Sequence, residues 1–141
     1  MENKEDFSKK VIFPIGPEAP DDIAKNFIGT VYLHSLVPYD SPLKHPISHV
    51  VFEPRCRNNW HKHPGGQILL VTGGRGWYQE EGKDARELHA GDVVEILPDI
   101  KHWHGAAADS WFAHIAMEAD VLAGPTQWLE PVTDEQYDKL R

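Results

Sequence analysis

Two short segments hold the residue types best suited to chemistry, Trp60-His61-Lys62-His63-Pro64-Gly65-Gly66-Gln67 and Lys101-His102-Trp103-His104-Gly105. Together they carry four of the nine histidines. Successive side chains on a β-strand point to opposite faces, so His61 and His63 look one way from their strand, and His102 and His104 do so from theirs. If the two strands face each other inside a small barrel, three imidazole nitrogens and the amide oxygen of Gln67 can converge on one divalent cation. A lone His-x-His is a weak signal. Two of them, with a glutamine just past a Pro-Gly-Gly bend and Gly-Asp turns at a matching distance, agree on a metal site.

Such a site needs strands to carry it. Residues 30–37 read as a strand, followed by a Pro-rich loop over 38–46. From Ser48 onward short strands recur at 48–53, 58–63, 67–72, 75–80, 85–88, 93–97, 101–105 and 111–118. Gly73-Gly74, Glu81-Gly82-Lys83-Asp84 and Ala90-Gly91-Asp92 read as turns between them. Short strands with evenly spaced turns predict an all-β antiparallel barrel or sandwich. Residues 1–27 form an N-terminal extension, irregular apart from one helical turn over 20–27, and 28–125 form the barrel. The tail over 126–141 is expected to be helical, because Thr133 and Gln136 make a capping-box pattern. His34, His45 and His49 are expected on solvated faces or in the Pro-rich loop.

The chain has 141 residues, enough for one domain with its own core. With 22 acidic against 14 basic residues the net charge is −8, so phosphate-backbone binding lacks its electrostatic driving force and no nucleic-acid partner is expected. Cys56 is the single cysteine, which excludes an intrachain disulfide and suits a reducing compartment. The acidic first residues have no apolar core of signal-peptide length, and no apolar run reaches the roughly 18 residues of a membrane-spanning helix. We therefore expect a cytoplasmic protein with no membrane partner.

Over residues 48–118 these motifs resemble the cupin family, whose first motif reads glycine, five residues, His-x-His, three or four residues, glutamate, six residues, glycine. Here Arg55 stands at the first glycine, His61 and His63 match, Gln67 replaces the glutamate and Gly74 closes the motif. The second motif wants glycine, five residues, Pro-x-Gly, two residues, histidine; Gly91 and His102 match, with Leu97 and Asp99 at the proline and second glycine. The resemblance implies a double-stranded β-helix, or jelly-roll barrel, with short helical segments at both ends. It also implies a first shell of His61, His63, Gln67 and His102, with His104 further along the same inward face and unbound. A neutral glutamine in place of glutamate leaves the metal's full +2 charge, which makes a stronger Lewis acid. Mixed nitrogen and oxygen ligands suit one Mn, Fe, Ni or Zn ion per chain.

Runs such as His61-Lys62-His63-Pro64, Gly91-Asp92-Val93-Val94 and Lys101-His102-Trp103-His104-Gly105-Ala106-Ala107 are similar to small bacterial cupins that include manganese-dependent hydroxynitrile lyases, which favours Mn. The strand over 111–118 alternates Phe112, His114, Ala116 and Glu118 onto one face; if that face is inward, His114 and Glu118 join the cavity as candidate catalytic groups beside His104. In those lyases the position of Glu118 is usually an amide, and a carboxylate there opposes binding of an anion such as cyanide. Ser48, Val50, Phe52 and Phe112 are read as substrate-pocket residues, and Trp60, Trp77, Trp103 and Trp111 as wall packing or dimer contact. The resulting expectation is a metal enzyme that makes or breaks a carbon–carbon bond in a small oxygenated substrate. Its competitors are an Fe(II) dioxygenase and a non-catalytic binding module. A homodimer is expected from the aromatic outer strands and the apolar segment Val11, Ile12, Phe13 and Ile15.

Overall fold

The structure, a computed structural model, describes residues 2–140. Its strands are β1 Phe27–Ile28, β2 Val31–Val37, β3 Ile47–Phe52, β4 Arg57–Asn58, β5 His61–Lys62, β6 Gln67–Glu80, β7 Arg86–His89, β8 Val93–Ile96, β9 His102–Ala106, β10 Phe112–Glu118 and β11 Gln127–Trp128. All pairings between them are antiparallel, in the order β1-β4-β9-β6-β10-β3-β2, with β7 and β8 also on β6 and β5 bridging β9 to β11. Three short α-helices, α1 Lys4–Ser8, α2 Asp21–Ala24 and α3 Asp134–Asp138, and one 3-10 turn at Val121–Ala123 flank this curled sheet among the described residues.

The Gly73-Gly74 pair does not end a strand, as its composition suggests. β6 runs through it for 14 residues, pairing with β8 and β10 on one side and with β7 and β9 on the other. Gly74 has φ +73°, and a Cβ there would lie 1.8 Å from the Trp111 carbonyl oxygen, so only glycine lets the strand bend between the two sheets here. Near the same bend the β6–β10 register slips, with Ala113 opposite Gly73 but His114 opposite Val71. Arg55 and Asp99, which stand at two glycine positions of the motifs, have φ +71° and +62°. The left-handed turns are retained without the glycines, at a cost of about 1 kcal/mol each.

The barrel interior is filled at one end by Phe52, Leu69, Leu88, Val94, Ile96 and Phe112, all at most 2% exposed. Phe52 also faces the polar cavity. Outside the barrel, Trp60, Trp77 and Trp103 pack with Val132 and Tyr137, so the tail covers this aromatic wall. Arg57 anchors it, donating to the Val132 carbonyl and to Asp134 from beneath the Tyr137 ring. The capping box at Thr133 forms, but residues 127–128 are a strand, so the tail is helical only over Asp134–Asp138. On the other wall, Phe7, Val11 and Ile15 pack against Tyr32, Val51, Trp111 and Ala113. Phe7 is buried and Val11 and Ile15 are half-buried by their own chain, while Ile12 is 86% exposed. His49 is also covered: it is fully buried with its ring 5.4 Å from Phe13 and its Nε2 2.9 Å from Thr72 Oγ1, not on a solvated face.

Candidate metal centre

Cross-strand registers assemble the site. His61 on β5 lies directly opposite His102 on β9, and Trp128 on β11 lies opposite His61 from the other side. Gln67 opens β6 directly opposite Glu118, the last residue of β10. His63 sits just past β5 at the start of a turn closed by Gly66 N–H to the His63 carbonyl, with Gly66 at φ +85°. This bend returns the chain to β6 and puts Gln67 beside the imidazoles.

The three rings crowd one region. Ring centres are 4.2 Å apart for His61–His102, 4.9 Å for His61–His63 and 5.4 Å for His63–His102. Backbone carbonyls fix two of them: His61 Nδ1–H donates to Asn59 O at 2.7 Å, and His102 Nδ1–H to Ile100 O at 2.9 Å. That leaves each Nε2 as the free acceptor, the arrangement a metal-binding histidine requires. His102 Nε2, His63 Nε2 and Gln67 Oε1 are buried with no hydrogen-bond partner among the described residues. Buried acceptors are seldom left unpaired, and three of them in one place fit a cation.

His104 is a nearer case than its spacing implies. One nitrogen each from His61, His102 and His104 lies within 4.8 Å of the others, so the triad that the nitrogen distances bring together among the described residues includes His104 and omits His63. The side-chain partners favour His63. The His104 ring has the Asn58 amide nitrogen 3.2 Å from Nε2 and 3.4 Å from Nδ1, while Asn58 Oδ1 accepts the His104 backbone N–H. It also stacks on Phe52 and meets His114 edge-on at 4.8 Å. His104 therefore has an occupied place in the wall, whereas His63 Nε2 has none.

A cavity of about 260 Å³ opens above these groups, walled by Ser48, Val50, Phe52, Asn58, His104, His114, Ala116 and Glu118, with Phe27, Tyr39, Thr126 and Trp128 towards its mouth. Phe112 is not on this wall; it packs behind Phe52 and His114, with ring centres 5.9 and 5.5 Å away. Sequence reasoning missed Asn58, Phe27, Thr126 and Trp128. Trp128, 4.7 Å from the His61 ring, sits in a tail read as helical, and Asn58 lies before a break in the strand that scrambles the alternation.

Burial makes all the site histidines weak bases. It pulls His63 from 6.5 down to about 3, His102 to about 4 and His114 to about 3, and holds His61 and His104 well below the usual range, so all are neutral at pH 7. Glu118 shifts the other way: desolvation raises it, opposed by the hydrogen bond from Gln67. Because the unfolded chain takes up protons on these histidines below about 6.5 while the folded chain resists until about 3–4, metal-free protein loses stability as the pH falls through that window. Melting temperatures of metal-free protein between about pH 4 and pH 8 should fall steadily below about pH 6.5; a flat profile contradicts neutral burial.

The chain matches the cupin domain family over residues 48–115. It is 45% identical over 111 residues, 79% of this chain and 85% of the relative, to an (R)-mandelonitrile lyase of Granulicella tundricola. A cupin-like protein from Thermotoga maritima superposes with a TM-score of 0.85 at 48% identity, covering 91% of this chain and 95% of that one. A DMSP lyase from Ruegeria pomeroyi, at 18% identity and a TM-score of 0.61 over 82% of this chain and 58% of that one, shares the fold alone.

Proposed function

The chain belongs to the cupin family, and we propose that it is a metal-dependent lyase that cleaves or forms a carbon–carbon bond in a small neutral oxygenated substrate, with a cyanohydrin as the first candidate. The observation that carries this reading is the set of unpartnered buried acceptors, His63 and Gln67 on the wall of a cavity that has no Lys or Arg among its described residues, and His102 beside them. A divalent ion, which we propose to be Mn²⁺, would be held by His61, His63, Gln67 and His102 and would supply a Lewis acid that lowers the pKa of a substrate hydroxyl.

The remaining residues set what enters and what moves. A carboxylate substrate would find no cationic side chain to pair with among the described residues of the wall, whereas Phe27, Val50, Phe52 and Trp128 suit an apolar or aromatic group. This is why the name of the relative, a mandelonitrile lyase, points to the same class here. In cleavage of a cyanohydrin, a neutral imidazole of His104 or His114 accepts the hydroxyl proton. The oxygen's electron pair closes to a carbonyl as the carbon–carbon bond breaks, cyanide leaves with that bond's pair, and the imidazolium returns the proton to it.

The test is release of benzaldehyde from mandelonitrile by Mn²⁺-loaded protein. Release that depends on Mn²⁺ and disappears in the metal-free protein is expected. No release above the uncatalysed rate, with oxygen uptake by Fe²⁺-loaded protein on organic substrates, would replace the lyase reading with the dioxygenase one.

A further inference from the structure

We propose that Glu118 is the positioning residue of the metal centre: its carboxylate orients Gln67 and His63 together and returns to the site the negative charge that a glutamine ligand lacks. The inference rests on the metal-centre reading and concerns a residue that the cavity reading alone would make a proton acceptor.

Gln67 can present either end of its amide, and only the oxygen can bind a cation. Glu118 decides between them. Directly opposite in the β6–β10 register, its Oε1 accepts the Gln67 Nε2–H at 2.7 Å, and a carboxylate can only accept. Gln67 Oε1 is thereby turned away and left buried without a partner. The other carboxylate oxygen, Oε2, lies 3.5 Å from His63 Nδ1, which Thr126 Oγ1 also approaches at 3.2 Å. A proton held on Nδ1 leaves Nε2, the unpartnered nitrogen, as the acceptor. One carboxylate thus does for Gln67 and His63 what the carbonyls of Asn59 and Ile100 do for His61 and His102.

The charge consequence follows from the same contact. With four neutral ligands a divalent ion keeps its full +2 charge, and Glu118 sits one amide group away from the ligand oxygen, its side chain 20% exposed. A carboxylate at that range offsets part of the charge, tightening cation binding and opposing anions at the open coordination positions. The site is therefore tuned for neutral oxygenated substrates and against retention of a bound anion.

Two variants separate the two effects. E118Q keeps an oxygen able to accept from Gln67 but removes the charge, and E118L removes both; thermal melts establish that each is folded. Mn²⁺ affinity, measured by competition with a chelator, should fall about 10–100-fold in E118L and less in E118Q. Azide binding to Co²⁺-loaded protein, read from the visible cobalt bands, should tighten severalfold in E118Q. Wild-type Mn²⁺ affinity in E118L overturns the orienting role, and unchanged azide affinity in E118Q overturns the charge role. Wild-type protein that takes up no Mn²⁺ would instead overturn the metal centre itself.

Discussion

Replacing His61 and His63 together by alanine should abolish metal binding and leave a folded barrel. The loss is large because both rings offer an Nε2 free of protein donors, His61 with its Nδ1 tied to Asn59 and His63 with Nε2 buried and unpaired. Four-ligand structural Zn²⁺ sites in zinc-finger peptides are worth roughly 10–16 kcal/mol, and on that scale removing half the ligands should cost on the order of 10⁴-fold or more in affinity. The fold survives because both rings line the cavity, while the packed interior is carried by Phe52, Leu69, Leu88, Val94, Ile96 and Phe112 on other strands. Metal content by plasma mass spectrometry after dialysis should drop from about one ion per chain to none, with a cooperative melt retained. A variant that still carries one ion per chain contradicts the ligand set.

His102→Ala and His104→Ala should fail in different ways although the two residues share a strand face. His102 is fully buried, 4.2 Å from the His61 ring, with Nδ1 committed to Ile100 and Nε2 unpartnered, so its loss removes most of the metal affinity. His104 lies on the cavity wall against Phe52, His114 and the Asn58 amide, where a substrate can reach it. His104→Ala should keep the metal and lose turnover by on the order of 10²–10⁴-fold, the contribution of a general base. Metal content and turnover measured on both variants decide the matter. Loss of the ion in His104→Ala would move this residue into the triad that its distances to His61 and His102 also allow.

The parts of the site legible in the sequence are those governed by strand alternation. His61 with His63, His102 with His104, and His114 with Glu118 are each two or four residues apart, and such spacings need only a strand to put both side chains on one face. What escaped was set by contacts between distant segments. Gly73-Gly74 has the composition of a turn, yet pairing with four strands carries β6 straight through it. Trp128 reaches His61 only because the tail returns to pair with β5. His49 alternates as an outward residue, and it is buried because Phe13 folds over that face. The joint hold of Glu118 on Gln67 and His63 likewise depends on register, since 51 residues separate Glu118 from Gln67.

His61, His63, Gln67 and His102 are expected to surround one ion. Anomalous diffraction from crystals of Mn²⁺-loaded protein addresses it directly. A single peak per chain is expected, bonded to a nitrogen of each of the three histidines and to Gln67 Oε1 at distances at or slightly beyond the roughly 2.0–2.2 Å of Zn²⁺ sites. A peak held by His61, His102 and His104 with His63 and Gln67 turned away, or no peak in the cavity, would contradict it.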